Sequence, residues 1–256
     1  MKANDILSFW QTRNLPLAPH EGFCFGSPEV ELAGVLVCWM PTAPAIRAAR
    51  DLGCNLILAH EHFGFPPKYS GARLDQNLSD RINLPRIREL AERDITVLWA
   101  ADSLDEVILD GFAQALGLPD PQVCRYSLQR IYHVPALPAR QMAVQVMERM
   151  AVASLRVCGN LERMVRRVAL LPGNSASAHN PEGLRSALAM APDLLIAGDT
   201  DEYPMRAAID ADVPMILVGH ARSLAPGLSR FATALRGAFP TLCVECYENP
   251  RPWATV

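Results

Sequence analysis

Four short groups of carboxylate and imidazole side chains each follow an apolar run that has the length and composition of a β-strand. The groups are His60 and Glu61 after NLIL, Asp102 and Asp105 after ITVLWAA, Asp199, Asp201 and Glu202 after DLLIAG, and His220 after MILVG. Open α/β sheets bind ligands in the crevice at the carboxyl ends of their strands. The shared position of the four groups therefore predicts a functional site at that edge.

Imidazole and carboxylate side chains together form ligand sets that suit zinc, iron and manganese, and the mixture does not choose among these metals. A bound divalent ion lowers the pKa of water toward ~7, and a bridging carboxylate holds two ions ~3.5–4 Å apart. Each residue also has a plainer interpretation. A histidine after a strand is commonly a loop residue, and Asp102, Asp199 and Asp201 stand where turn or capping residues are expected. Metal binding by the group and capping by its members both stay open at this point.

The composition is typical of a globular protein with a sizeable core. Half of the 256 residues are hydrophobic and the formal net charge is −3, so no basic footprint for nucleic acid is present. The start, MKANDILSFW, lacks the apolar segment of a signal peptide. No apolar run approaches the ~20 residues that span a bilayer. We therefore expect a cytoplasmic protein without a membrane partner.

The cysteines favour the same compartment. Most of the seven lie in apolar stretches, which is typical of buried, reduced thiols and not of a disulfide framework. Cys243 and Cys246 form a CxxC within TLCVECY, a segment with the pattern of a strand. A zinc site would need a second such pair, which the sequence lacks. We interpret this CxxC as structural.

Apolar, β-branched runs alternate with segments of helical period along most of the chain, which predicts an α/β fold. In the first half we predict strands at 31–39, 55–61 and 95–100 and a loop at 63–71. We predict a helix near 4–11, a second that Thr42 caps and Gly53 ends, and a third that follows the loop and runs to Arg93. A Ser103–Glu106 capping box opens a fourth, which Gly117 ends. In the second half we predict strands at 155–159, 167–171, 193–197, 214–219 and 241–247, and helices that start at Pro181, near Tyr203 and near Ala225.

The similar β-α-β order of the two halves indicates two pseudo-symmetric lobes that pack as one unit. We predict a first lobe at 1–125, an inter-lobe connection at 126–165 and a second lobe at 166–256. Four prolines flank a predicted strand near 126–134, and a helix near 138–151 follows it. This proline-rich stretch is the reason for placing the connection there.

Five segments, in order, resemble motifs of the NIF-three-like dinuclear-metal-centre family, also named type 2 GTP cyclohydrolase I. AHEHFGF is similar to its HHP or THEP signature, ADSLDEVILDGFAQALGL to its HTNLD segment, LRVCGNLERMVRRVALLPG to its RVxGD…VxRVALxPG stretch, DLLIAGDTDEY to its DxxxTGE or GExxEW segment, and GHARSLAPGL to its GHxxSExxGM segment. The resemblance covers about residues 30 to 250. It implies two α/β lobes, a toroidal homo-hexamer and a dinuclear metal site in the crevice between the lobes.

The resemblance also implies a set of metal ligands. His60 and Glu61 take the first two ligand positions, Asp105 matches the Asp of HTNLD, and His220 matches the His of GHxxSE. Glu202 falls near the acidic position of GExxEW. Three positions depart from the family pattern, and one is Glu61, which replaces a His, although HE occurs in the THEP branch. Leu224 stands where the family has a Glu ligand, and Ala101 or Asp102 stands where it has the His of HTNLD. His62 would be a further ligand if its segment were extended, and we interpret it as a loop residue.

Three functions are consistent with these residues. The first is a metal-dependent hydrolase that acts on a small molecule, with one or two ions held by the implied ligands and with Glu202 or Asp102 as general base. The second is a metal-binding or metal-depleted scaffold that acts through oligomer assembly, which the leucine at 224 favours. The third is a metal-free binding protein, in which the loop PGNSASAHN with His179 contacts an anion; a plain connecting loop is the preferred interpretation of that segment.

Overall fold

The computed structural model describes residues 1–12, 16–65, 80–121, 123–126 and 128–254. Within them the chain forms two compact units. The first unit comprises Met1–Asp105 and Leu228–Pro250, and the second comprises Glu106–Gly227 with the chain end from Arg251. No described helix is both long and apolar enough to cross a membrane.

The described residues contain eleven strands and eight α-helices, which confirms the predicted α/β class. The strands are β1 Gly22–Phe25, β2 Gly34–Cys38, β3 Leu56–Ala59, β4 Thr96–Trp99, β5 Val123–Tyr126, β6 Gln129–Pro138, β7 Arg156–Cys158, β8 Met164–Leu171, β9 Leu194–Ala197, β10 Met215–Leu217 and β11 Cys243–Tyr247. The helices are α1 Ser8–Thr12, α2 Ala43–Asp51, α3 Leu84–Glu92, α4 Asp105–Ala115, α5 Ala139–Arg149, α6 Pro181–Ala189, α7 Glu202–Asp210 and α8 His220–Ala238. Short 3-10 helices precede α1 at Ala3–Leu7 and α4 at Asp102–Leu104.

The sheet of the first unit has the order β1-β4-β3-β2-β11. Strands β11, β2, β3 and β4 run parallel, and β1 closes the edge antiparallel to β4. Every residue of β2, β3 and β4 is buried, as expected for parallel strands covered on both faces. One face packs Leu36, Ile57 and Val97 against Ile46 of α2 and Leu90 of α3. The carboxyl ends of β3 and β4 are thereby held side by side.

The sheet of the second unit has the order β5-β6-β8-β9-β10-β7, with β8, β9 and β10 parallel. Successive side chains along each strand point to opposite faces of this sheet. Ile196 of β9 packs with Phe112 of α4 and Val146 of α5. Its neighbour Leu195 packs on the other face, against Leu184 of α6.

Several local predictions are confirmed. Thr42 caps α2, where its Oγ1 accepts a hydrogen bond from the Ala45 N–H at 3.4 Å. Gly53 follows that helix with a φ of +71°, a conformation that glycine adopts without strain. Pro181 is the first residue of α6. The predicted loop at 63–71 and the start of the helix before Arg93 fall partly on 66–79, outside the described residues.

Other predictions are wrong or differ. The Ser103–Glu106 capping box is wrong, because Ser103 lies in a 3-10 turn and its Oγ has no hydrogen-bond partner among the described residues. Helix α8 begins at His220, with Pro226 inside it, and not near Ala225. The unit boundaries also differ from the predicted lobes. Residues 126–165 supply strands of the second sheet, whereas 241–247 contain a strand of the first. A strand's own pattern does not state which sheet it joins.

Candidate metal site

His60 and Glu61 lie directly after β3, where the chain continues alongside β2. The His60 N–H donates to the Cys38 carbonyl at 3.2 Å, and the Glu61 N–H donates to the Trp39 carbonyl at 2.7 Å. Both residues are buried, with 8% and 7% of their surface exposed. The backbone at the end of β2, at Cys38 and Trp39, therefore fixes both residues at the end of the sheet.

Asp105, the first residue of α4, joins this pair. Its Oδ1 lies 3.5 Å from His60 Nε2, and Glu61 Oε1 lies 3.6 Å from His60 Nδ1. Burial lowers the pKa of His60, and the proximity of the Asp105 and Glu61 carboxylates raises it; the net result is a pKa of about 9. The structure thus brings together three of the four residues that the resemblance implied as ligands.

The imidazole of His60 is buried, and neither ring nitrogen has a hydrogen-bond partner among the described residues. Buried polar atoms are nearly always satisfied, so this arrangement needs an explanation. A metal ligated by one nitrogen, with the other nitrogen oriented by a carboxylate, is a common arrangement for histidine. Asp105 and Glu61 lie at different ring nitrogens, so the arrangement fits a divalent ion held by His60 and one carboxylate, with the other carboxylate orienting the ring.

Trp99, the last residue of β4, holds this segment in place. Its indole Nε1–H donates to the His60 carbonyl at 2.9 Å. The ring of His62 meets Trp99 edge-on at 5.4 Å and stacks on Phe63 at 4.6 Å. His62 Nδ1 accepts a hydrogen bond from the Gly64 N–H at 2.9 Å. His62 is therefore a buried loop residue that shapes the turn after the site.

A second group joins the predicted Asp102 to His20 and Glu21, which were not predicted. One potential ligand atom from each residue lies within 4.8 Å of the others, and His20 Nε2 is 3.5 Å from Asp102 Oδ2. The His20 ring lies 5.3 Å from that of Trp99. His20 and Glu21 precede β1, and the pairing of Gly22 with Trp99 brings them to the carboxyl end of β4. The alternating run GFCF could have indicated β1, but not its partner.

Glu21 has an identifiable structural role in this second group. Its Oε2 accepts from the Ala18 N–H at 2.7 Å, and its Oε1 accepts from the N–H groups of Ala101 and Ser103. The carboxylate thus satisfies backbone donors at the turn that leads into α4. Glu21 therefore accepts from the backbone N–H groups at this turn from a distant part of the chain, in place of the predicted local capping box.

His220 belongs to the second unit, where it begins α8 directly after Gly219, whose φ is +103°. Ser223 fixes this turn: its Oγ–H donates to the His220 carbonyl at 2.7 Å, and its Oγ accepts from the Gly173 N–H at 2.8 Å. Leu224, one residue on, is buried with 2% exposed. An apolar side chain therefore fills the position at which the family pattern has a Glu.

In the acidic group after β9, Asp201 has the capping role that the plainer interpretation gave it. Asp201 caps α7 by accepting from the Tyr203 N–H at 3.1 Å, and it also accepts from the Ala178 N–H at 2.9 Å. These bonds hold the pKa of Asp201 below its usual value. Asp199 pairs with Arg156 at 2.5 Å. Glu202 is the exposed first residue of α7, and its role as general base stays a prediction.

Comparison with known proteins confirms the family that the five segments resemble. The family model described as Duf34/NIF3 (NGG1p interacting factor 3) matches residues 6–252. The chain belongs to this family. No curated protein matches the sequence significantly.

Solved structures share the fold over nearly the whole chain. A hypothetical protein from Staphylococcus aureus matches with a TM-score of 0.81 at 17% identity, covering 100% of this chain and 99% of that one. A Bacillus cereus protein related to NIF3 matches with a TM-score of 0.79 at 17% identity, with the same coverage. Reduced HcgD from Methanocaldococcus jannaschii matches with a TM-score of 0.71 at 18% identity and 96% coverage of both chains. At these identities the likeness shows a common fold.

Proposed function

We propose that this Duf34/NIF3 protein binds a divalent metal ion through His60 and Asp105, with Glu61 orienting the other ring nitrogen of His60, and uses the ion to hydrolyse a small molecule. The observation that supports the proposal is the His60 imidazole, which is buried between two carboxylates with neither ring nitrogen hydrogen-bonded among the described residues. A buried imidazole without hydrogen bonds is destabilising unless something else satisfies its nitrogens.

The protein's own residues would have distinct roles in this reaction. A divalent ion supplies Lewis acidity, which lowers the pKa of water and polarises a substrate oxygen. Trp99 orients the His60 backbone, and Glu21 fixes the turn that carries Asp102 and Asp105. Asp102, which is exposed beside His20, is suited to accept a proton from an attacking water.

A second candidate function is a non-catalytic scaffold. The buried Leu224 favours it, because leucine cannot bind a metal and the position is filled by apolar packing. Under this proposal the protein acts through assembly or partner binding. A homo-oligomer, hexameric by resemblance, and a cytoplasmic location remain predictions; light scattering coupled to size exclusion measures the first.

Metal content per chain distinguishes the two functions. The untagged protein, His60→Ala, His220→Ala and the double variant would be purified in parallel and analysed for zinc, iron and manganese. His179→Ala is the matched control, because His179 is exposed and lies outside the candidate site. Circular dichroism establishes that each variant is folded.

Each outcome has a defined meaning. One or two metal equivalents in the wild type and in His179→Ala, lost in His60→Ala, would support metal binding at this site. Loss in His220→Ala as well would support the predicted role of His220 as a ligand. No metal in a folded wild type, even after incubation with each ion, would refute the hydrolase proposal and favour the scaffold.

A further inference from the structure

The second unit contains a cavity of about 550 Å³ that the proposed metal chemistry does not use. Residues of helix α5, strand β6 and the segment 116–119 after α4 line it, together with the buried Ile196 of β9. Small-molecule sites in proteins commonly have volumes of about 300–1,000 Å³. The cavity is therefore large enough for a small organic ligand.

An irregularity in β6 accompanies the cavity. Strand β6 pairs with β8 at Ile131–His133 and again from Leu137, whereas residues 134–136 have no partner in β8. Pro135 lies in this interval and has no N–H to donate to a ladder. Bulges of this kind bend a strand away from regular pairing and are frequent next to functional sites. Val134, Pro135 and Leu137 all line the cavity.

The lining is mostly apolar. Met142 and Val146 of α5 contribute to it, and both also belong to the hydrophobic core on this face of the sheet. An apolar ligand in the cavity would extend that core and remove further apolar surface from water. The interior of the cavity is therefore suited to a hydrocarbon or aromatic body.

The polar side chains of the lining are few, and the arginine is the charged one among them. They are His133, Gln145 and Arg149, and no carboxylate is present among the described residues that line the cavity. Arg149 donates one hydrogen bond, from Nη1 to the Leu116 carbonyl, and its guanidinium lies over Gly117, where a Cβ would collide with it. Among the described residues this is the single hydrogen bond that Arg149 makes. An arginine fixed in this way can still present N–H donors in a planar fork to a carboxylate.

We propose that this cavity binds a small organic acid, with its apolar body against Ile196 and Met142 and its carboxylate at Arg149. Charge complementarity selects an anion, because a cation would meet Arg149 and no carboxylate in the lining. The volume and the apolar lining select a ligand with a hydrocarbon chain or ring. The site is independent of the metal centre proposed above.

The test uses octanoate as the probe, with octylamine as the probe of opposite charge and octanol as the neutral probe. Binding is measured by isothermal titration calorimetry on the whole protein, and methyl chemical shifts of Met142 and Leu137 report its location. Arg149→Gln removes the charge and keeps a polar amide side chain. Gln145→Trp fills space at the cavity wall. Arg185→Gln, an exposed arginine of α6, is the matched control.

We expect one octanoate per chain, shifts at both methyl groups, binding about tenfold weaker in Arg149→Gln, and unchanged binding in Arg185→Gln. Octanoate binding should be lost in folded Gln145→Trp. Absence of saturable binding, or octylamine or octanol binding as tightly as octanoate, would overturn the proposal. Saturable binding that leaves the Met142 and Leu137 methyl shifts unchanged would also overturn it, because the acid would then bind elsewhere.

Discussion

Helices α4 and α8 cross within the second unit at Gly111 and Gly227, where their backbones touch. A Cβ placed on Gly111 would lie 2.5 Å from the Cα of Gly227, and a Cβ on Gly227 would lie 2.4 Å from the Cα of Ile108. Ordinary contacts of a Cβ begin at about 3.4 Å. Alanine at either position must therefore push the two helices apart.

The expected loss of stability follows from this geometry. Overpacking costs about 1–3 kcal/mol, and the upper end applies here because the obstacle is backbone, which has no alternative rotamer. The better helix propensity of alanine offsets up to about 1 kcal/mol of that loss. We therefore expect Gly111→Ala and Gly227→Ala each to lower the free energy of unfolding by about 2 kcal/mol.

Urea denaturation followed by circular dichroism measures this change. Gly237→Ala is the control within α8, because a Cβ at Gly237 would meet no atom within 4 Å. It should be neutral or stabilising by up to about 1 kcal/mol. The reasoning fails if Gly111→Ala is as stable as the wild type, or if Gly237→Ala loses as much stability as the two crossing variants.

Three further predictions concern other contacts. Asp201→Ala should lower the free energy of unfolding, measured by urea denaturation, by about 1 kcal/mol through loss of a helix cap. Because the pKa of Asp201 is lowered in the folded state, its stabilising contribution is present above the unfolded pKa and should disappear as the pH falls through the folded pKa. The stability of Asp201→Ala should lack this component of the pH dependence. Glu21→Ala should lower the free energy of unfolding by about 1–3 kcal/mol, because it leaves the backbone N–H groups of Ala101 and Ser103 without their acceptor. A variant as stable as the wild type would exclude the capping role of Glu21. Exposed Cys243 should react with iodoacetamide at pH 8 well before Cys24, because burial raises the pKa of the Cys24 thiol to about 12. Mass spectrometry of tryptic peptides measures the order in which the two thiols are alkylated.

Much of the candidate site could be predicted from sequence because its signals are local. The apolar run NLIL forms β3, and His60 and Glu61 follow it wherever the strand lies in the fold. Asp105 likewise follows β4 by a short turn. Parallel neighbouring strands end at the same edge, which is why the prediction places these three side chains together. The same argument included the groups after β9 and β10, which belong to the other sheet.

The rest of the site depended on contacts between distant parts of the chain. His20 and Glu21 reach Asp102 because β1 pairs antiparallel with β4 in one particular register, and a shift of one residue would turn every side chain of β1 to the opposite face. The cap at the start of α4 came from Glu21 and not from Ser103, although the sequence around Ser103 has the pattern of a capping box. Hydrophobic periodicity determined which segments became strands and helices; strand pairing and packing, which are non-local, decided which sheet β11 joined and which carboxylate completed the turn.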